Sequence, residues 1–413
     1  MTGWLFLLVA VGLIALVSLL PVPQFLGGQP FVFLRDLIVG ALQPLLPAWL
    51  IGVVLVALVS VLPVPQFLGG QPFLFLRDFI VDGLRPSLPD WAIGVVLTLI
   101  GLAMLIAFMT VVVMSLVYLE RRVIAFMQDR LGPNRVGPEG ILQSVADVMK
   151  LLSKEDIVPA NADRATFLLA VPAAVIPSLM IYGVIQWAPG MQIADLNVGF
   201  LYVLAVSSLT TISVVMAGWG SNNKYALLGA MRAAAQMISY EIPIVMSLVG
   251  VAMIVGSLKI SDIIAWQQQS VWLFVLQPLG FLIYLVSSLA ELNRTPFDLM
   301  EADSEIVAGY HIEYSGMRFA LFFLAEYLNA FVAVAIAVTL FLGGWQGPIL
   351  PPYVWFVIKC YALFFVLIWL RGTLPRVRVD QLMGLAWKGM VPLALLNIVL
   401  TGVGMYVYAV ARA

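Results

Sequence analysis

Cysteine and histidine are almost missing from this sequence, which holds one of each, Cys360 and His311, in 413 residues. A single thiol excludes a disulfide within the chain and a cysteine-ligated iron–sulfur cluster. A single imidazole excludes a multi-histidine metal or haem site. No glycine-rich dinucleotide fingerprint and no phosphate-binding loop occurs. Any redox chemistry therefore relies on cofactors held by partner chains, and neither a cofactor nor a metal is expected on this one. Charge is scarce as well, at 10% of residues with a formal net charge of -1, and no nucleic-acid partner is expected. The first twenty residues lack a basic leading segment and a small-residue cleavage site, so they read as a retained span and not as a removed signal peptide.

What is present is apolar. Hydrophobic residues make up 62% of the chain and mean hydropathy is +1.05. Apolar runs of about 18 to 25 residues recur, the length that crosses a bilayer as a helix. Lipid offers no hydrogen bonds to an open backbone, so such runs must be helical, and they are too long and too uniformly apolar for barrel strands. The fold class is therefore all-α: a polytopic transmembrane helix bundle with eight core spans plus one or two N-terminal spans. The core spans lie near 92–118, 165–187, 198–218, 236–256, 272–290, 318–342, 353–370 and 390–411. Connections 119–164, 219–235, 291–318 and 371–388 hold seven, two, two and four Lys/Arg, whereas 188–197, 257–271 and 343–352 hold none, Lys259 alone, and none. Basic loops stay in the cytoplasm, so this alternation supports eight spans and puts the first set of loops on the cytoplasmic side.

Residues 1–91 read as an N-terminal extension and 92–413 as the core. The stretch 15–49 returns at 57–91 with 27 of 35 positions identical, a tandem duplication with an offset of 42 residues. Two copies of such high identity are too few for a solenoid. Two further spans at about 3–20 and 48–62 would bring the total to ten and put nearly identical loops on opposite sides of the membrane. A half-span or interfacial placement of the short 48–62 segment is the alternative.

The largest cytoplasmic connection contains a turn-rich stretch punctuated by Pro133, Pro138, Gly132, Gly137 and Gly140. After it, Ile141, Val145, Val148, Met149 and Leu152 recur at helical spacing with Asp147, Lys150 and Lys154 between them. This is an amphipathic helix at the membrane interface. It reads either as an anchor whose lysines meet anionic headgroups, or as the mouth through which a lipid-soluble molecule enters, lined by Arg121, Arg130, Asp147 and Lys150.

The scarce acids are not scattered. Glu291, Asp298, Glu301, Asp303, Glu305 and Glu313 put six of the 22 acidic residues into 23 positions, and the only Lys or Arg within that run is Arg294. They are interleaved with Phe297, Leu299, Met300, Ile306, Val307 and Tyr310, which argues against a plain solvated loop and for a cluster that shares protons and titrates collectively. Glu241 and Glu326 fall within or at the ends of spans, where an ionised carboxylate costs a few kcal/mol at the centre and less near the interface. Lys359, in another span, reads as a relay or snorkelling lysine at the membrane face opposite Glu241. His311 reads as structural.

Several long motifs occur in a fixed order: ERRVIAFMQDRLGPNRVGP, ADVMKLLSKED, GWGSNNKYALLGAMRAAAQMISYE, AELNRTPFDLMEADSEIVAGYHIEYSGMRFALFFLAEY and LPRVRVDQLMGLAWKGMVPL. Through them the chain, over roughly 95–411, closely resembles the H-type membrane subunit of bacterial respiratory complex I (NADH-quinone oxidoreductase), the counterpart of mitochondrial NADH dehydrogenase subunit 1. The resemblance implies one component of an NADH:quinone oxidoreductase in the bacterial inner membrane, at the junction of peripheral and membrane arms. It implies quinone as substrate, with FMN and iron–sulfur clusters on partner subunits. The family's quinone-cavity and junction positions match Glu120, Arg121, Arg130, Asp147 and Glu155, beside which Lys150 stands. Its acidic channel matches Glu241, Glu291, Glu301, Asp303, Glu305, Glu313 and Glu326, and Asp298 lies within the same run. The family often carries Glu at Asp303 and Pro at Met300. Arg376, Arg378 and Asp380 are assigned to docking of a peripheral-arm subunit. The reading from a different class is an ion-translocating membrane component of a related hydrogenase or antiporter-like assembly, with the acid run as a proton path and no quinone.

Single cysteines at Gln24 and Gln66 separate the two N-terminal topologies. Ten spans require them to react with impermeant reagent from opposite sides of the membrane, and reaction from one side rules that arrangement out.

Overall fold

The computed structural model describes residues 89–300, 306–348 and 350–412. The duplicated N-terminal stretch, apart from its last residues, lies outside the described residues, as do Glu301, Asp303 and Glu305. The chain divides into two compact units between Ile100 and Gly101, and the chemistry belongs to the unit Gly101–Ala413. Among the described residues there is no strand, only an isolated bridge between Ala188 and Met191.

The helices follow from unbroken apolar runs and stop where the sequence supplies a cap or a breaker. Helix α1 (Asp90–Met127) contains no proline over 38 residues. That length amounts to about 57 Å, against about 30 Å of hydrocarbon, so its charged last turns extend past the lipid-spanning part. The amphipathic segment forms α2 (Gln143–Ser153). Helix α3 (Arg164–Tyr182) starts at Asp163, whose side chain accepts from Ala165 N. The next apolar run is split into α4 (Gly199–Ser207) and α5 (Leu209–Gly220) at Ser208. There Thr210 Oγ1 donates to Ser207 O at 2.7 Å and Ser208 Oγ to Ala205 O at 2.9 Å, the back-bonding that bends helices.

Helix α6 (Lys224–Val255) is capped by the Asn223 side chain and ended by Gly256 in the left-handed conformation, φ 74°. It begins well before the expected start near 236, so Glu241 sits in the middle of a 32-residue helix and not early in its span. The helices α7 (Ile260–Gln269), α8 (Pro278–Glu291), α9 (Gly316–Phe341) and α10 (Pro352–Thr373) follow. The chain then enters α11 (Val379–Gly384), passes a π-helical turn at Leu385–Met390, and continues as α12 (Val391–Arg412).

Among the described residues seven helices are long and apolar enough to cross a membrane, which makes this a multi-pass membrane protein. The remaining expected span, 272–290, is broken. Gln277 leaves the helical region at φ −128° and ψ 56°, as a residue before proline tends to, and α8 has only 14 residues, about 21 Å of helix. The Gln277 side chain ties the break to α12: its Nε2 donates to Thr401 Oγ1 at 2.6 Å, and Asn397 Nδ2 donates to its Oε1 at 3.2 Å.

Two helices organise the packing. Helix α6 lies against α5, α8 and α12, while α9 lies against α2, α3, α7 and α10. Tyrosines brace α9 from two sides: Tyr182 of α3 donates to Leu328 O at 2.7 Å, and Tyr284 of α8 donates to Ala333 O at 2.8 Å. The carboxyl end of α9 is held by Lys359 of α10. Its ammonium donates to the carbonyls of Leu342 at 2.7 Å, Gly344 at 3.0 Å and Gln346 at 2.7 Å, and lies 4.4 Å from the centroid of the Trp272 ring. Lys359 is thus a clamp on the turn that follows α9, satisfying the carbonyls of its C-cap residue Leu342 and of Gly344 and Gln346.

Close approach between α6 and the acid-bearing segment depends on glycine. A Cβ on Gly229 would sit 2.7 Å from Gly309 Cα, and Gly309 itself has φ 65°. Gly229→Ala is expected to cost about 1–3 kcal/mol through overpacking. Lowered thermal stability of the purified assembly checks this, with Gly384→Ala, which meets nothing within 4 Å, as the neutral control.

Candidate functional site

Segment 292–315 joins α8 to α9, and its described residues, 292–300 and 306–315, are mostly irregular backbone. Such backbone is tolerated at a membrane protein's core only when the protein itself satisfies and covers it. Here Gln236 of α6, 1% exposed, donates through Nε2 to Ala290 O at 2.7 Å and to Phe297 O at 2.8 Å. That clamp fixes both sides of the turn that holds Arg294, and Asn293, with φ 51°, reverses the chain. Of the apolar residues interleaved with the acids, Phe297, Leu299, Met300, Ile306 and Tyr310 are buried, while Val307 is exposed. The interleaving in sequence is therefore a packed segment in space.

Arg294 is 7% exposed and points into the bundle. Its Nη1 donates to Glu120 Oε2 at 2.6 Å, its Nη2 lies 2.9 Å from Glu326 Oε1, and its guanidinium carbon is 4.3 Å from the centre of the Tyr327 ring. The other oxygen of Glu120 accepts from Arg371 Nη1. Two bases and two acids from α1, α9, α10 and the 292–315 segment thus form one charge-balanced network. Burial works against the charge on Arg294, but Glu326 and Glu120 outweigh it, and its pKa is raised above the ordinary arginine value. A buried guanidinium needs such matching, because an unpaired charge there costs several kcal/mol.

Adjacent residues on α1 serve different surroundings. Glu120 faces the interior, whereas Arg121 turns to the amphipathic helix and pairs with Asp147 at 2.5 Å, which also accepts from Gln143 at 3.2 Å. Arg122 pairs with Glu139 at 2.9 Å and donates to Pro133 O at 3.1 Å, pinning the turn-rich stretch to α1. Arg130, Lys150 and Glu155 are exposed on this face. The structure therefore separates Glu120 from the other residues of the entry set and joins it to Glu326.

A second acidic pair lies where α6 and α8 pack. Glu241 and Glu291 are both partly buried, and the helices that carry them pack against each other. The remaining acids have other neighbours. Asp298 Oδ2 lies 3.6 Å from Arg376 Nη2, and Val377 N donates to Pro296 O at 2.9 Å, so the α10–α11 connection is strapped to the acid segment. Glu313 Oε1 accepts from Asn223 Nδ2 at 2.7 Å, beside the cap of α6. Arg378 and Asp380 are exposed. His311 stacks edge-on with Tyr310 and Phe319. Glu301, Asp303 and Glu305 lie outside the described residues. No group of three or more His, Cys, Asp or Glu is placed to hold a metal among the described residues.

Three participants are given no role by the sequence: Gln236 and Tyr327, which lie inside two of the long motifs, and Arg371, which lies in none. Arg371 is the first base after its span, and that position is the available signal. Arg294 is the only base within the acid run, and a lone base among six acids is the pattern of a shared counterion.

Arg294→Met would leave Glu120 and Glu326 without their common partner. A loss of about 3–5 kcal/mol is expected, read as reduced assembly on native gels and a lower Tm. Adding Glu326→Gln should recover part of that loss. Wild-type stability in the single variant would show that the network does not hold these helices.

Comparison with known proteins gives a concordant result. The family model described as NADH dehydrogenase matches residues 100–402. The H-type subunit of NADH-quinone oxidoreductase from Dehalococcoides mccartyi (strain CBDB1) is 53% identical over 303 residues, covering 73% of this chain and 85% of the relative. The second H-type subunit of the Geobacter sulfurreducens enzyme is 55% identical over 296 residues, covering 70% and 90%. The corresponding protein of Geobacillus kaustophilus is 55% identical over 308 residues, covering 73% and 91%. With its bundle and its buried acids, the chain belongs to the NADH dehydrogenase family as an H-type membrane subunit of the respiratory complex I enzyme, whose other subunits are its partners.

Proposed function

We propose that this chain forms the quinone entry and much of the quinone chamber of the complex, and carries the acidic path that couples quinone reduction to proton translocation. The observation that carries the reading is Arg294, one guanidinium held between Glu120 on α1 and Glu326 on α9. The names of the relatives supply the reaction, NADH oxidation by quinone, and the bacterial inner membrane is the proposed location. No observation favours the hydrogenase or antiporter reading.

In this reading quinone enters beside α2, past Arg121, Arg130, Asp147, Lys150 and Glu155, and its head group reaches the region of Glu120. FMN and iron–sulfur clusters on partner subunits supply the electrons. This chain's residues hold and move protons. A unit charge about 4 Å away is worth about 4 kcal/mol at an effective dielectric of about 20. A change of charge near Glu120 is therefore large enough to redistribute the hold of Arg294 between its two carboxylates. Glu326 then gains or loses a proton, and the Glu291–Glu241 pair, with Asp298 and Glu313 and the acids Glu301, Asp303 and Glu305 of the same run, continues the path toward the rest of the membrane arm. Arg378 and Asp380 dock a peripheral-arm subunit, and Arg376 joins them while facing Asp298.

Glu241→Gln and Glu291→Gln test the path, because glutamine keeps the shape and removes the titrating proton. Quinone-dependent NADH oxidation coupled to proton uptake should fall by about a hundredfold, the lower end of what a positioned proton carrier contributes. Assembly, followed on native gels, should persist. Normal coupled turnover in both variants would remove these residues from the path.

A further inference from the structure

The turn after α9 is built around a positive charge. Gly343 and Gly344 both take positive φ, 72° and 55°. A Cβ on Gly343 would sit 2.8 Å from Trp272 Nε1, and one on Gly344 would sit 3.1 Å from Ile264 Cδ1. Two such residues in succession, open to glycine and costly for others, bring the carbonyls of Leu342, Gly344 and Gln346 onto one point. The Lys359 ammonium directs its three donors to them, and the Trp272 ring closes a fourth side at 4.4 Å. Converging carbonyls and an aromatic face are the surroundings that suit a monovalent cation, here an ammonium tethered to α10.

This cage has an approach from outside. A cavity of about 370 Å³, lined in part by Gln268, Ser270, Trp272 and Gln346, shares Trp272 and Gln346 with the cage and lies on the face opposite the basic loops. The cage is also continuous with α9. Gln267 Nε2 donates to Thr339 O at 3.0 Å, and its Oε1 accepts from Gly343 N at 2.9 Å, joining the last turn of the helix to the turn beyond it. From Met317 to Phe341 the helix contains neither proline nor glycine. Glu326 is therefore joined to the caged turn by about 24 Å of unbroken helix.

We propose that Lys359 is a positioning residue for the interior network: its charge closes the 342–346 turn and so sets the height at which Glu326 of α9 meets Arg294. Without the charge the three carbonyls repel one another, the turn relaxes, and the register of α9 against Arg294 is lost. The geometry does not depend on where quinone binds. Only the turnover measurement below rests on the proton path proposed above.

The test uses the whole assembly in detergent with Lys359→Met, which removes the charge and keeps much of the stem. Electron cryo-microscopy in choline chloride should show Glu326 drawn beyond about 4 Å from Arg294, the limit of an ion pair. Potassium chloride at equal ionic strength should restore the contact and the wild-type Tm, because potassium enters the cage through the cavity and choline is too large. Quinone-dependent NADH oxidation should fall about tenfold, since a misplacement of about 1 Å can cost up to about a hundredfold. The same substitution should add nothing to Glu326→Gln. An unchanged Glu326–Arg294 contact, equal recovery in the two salts, or a full turnover loss on top of Glu326→Gln overturns the proposal. Wild-type turnover in Glu326→Gln alone would instead overturn the proton path, and the contact distance would still decide this proposal. Lys359→Gln, which keeps donors without the charge, is read in the same two salts if the methionine variant does not assemble.

Discussion

A guanidinium buried in a membrane protein dictates where its carboxylates must be. Arg294 sits in an irregular segment, yet its position is set to within hydrogen-bonding distance of Glu120 and 2.9 Å from Glu326, side chains that come from helices far apart in sequence. Arg371 supplies the second positive charge. The last turns of α1 and α10 and the first half of α9 are thereby tied to one point, and the turn that carries Arg294 is held inside the bundle. Hydrophobic packing alone does not give this registry, because lipid tails compete with apolar side chains for apolar faces.

The same arrangement gives the two surfaces of α1 different work. Successive residues on a helix point about 100° apart, so Glu120 and Arg121 face the interior and the amphipathic helix respectively. A change in the environment of α2 and a change in the interior network therefore act on the same turn of one helix. The clamp from Gln236 to Ala290 and Phe297 does for the backbone what Arg294 does for the side chains.

Much of this is legible in the sequence, and the reasons for the rest are physical. Long apolar runs identify the helices because a bilayer permits little else. The apolar residues among the acids signal a packed segment, and most of them are buried. The broken helix at Gln277 is readable in principle from Pro278, but hydropathy averaged over a window conceals a single break. The separation of Glu120 from Arg121 is hidden because adjacency in sequence says nothing about which face meets which neighbour. Arg371 and Tyr327 are unreadable as network members, since only the crossing of α9 and α10 with α1 brings them together. Lys359 reads as a relay or snorkelling lysine, and its actual partners are carbonyls, which have no sequence signature.

The clamp at Lys359 has a mechanical consequence. Helix α9 carries Glu326 in its first half, tyrosine bonds to Leu328 and Ala333 follow, and Lys359 fastens the turn just past Phe341 through the carbonyls of Leu342, Gly344 and Gln346. A rod fastened in this way cannot slide along its axis without breaking several bonds at once. Work done at Glu326 is therefore absorbed by side-chain torsions or by bending about the fastened turn, and α9 behaves as an anchored lever and not as a piston.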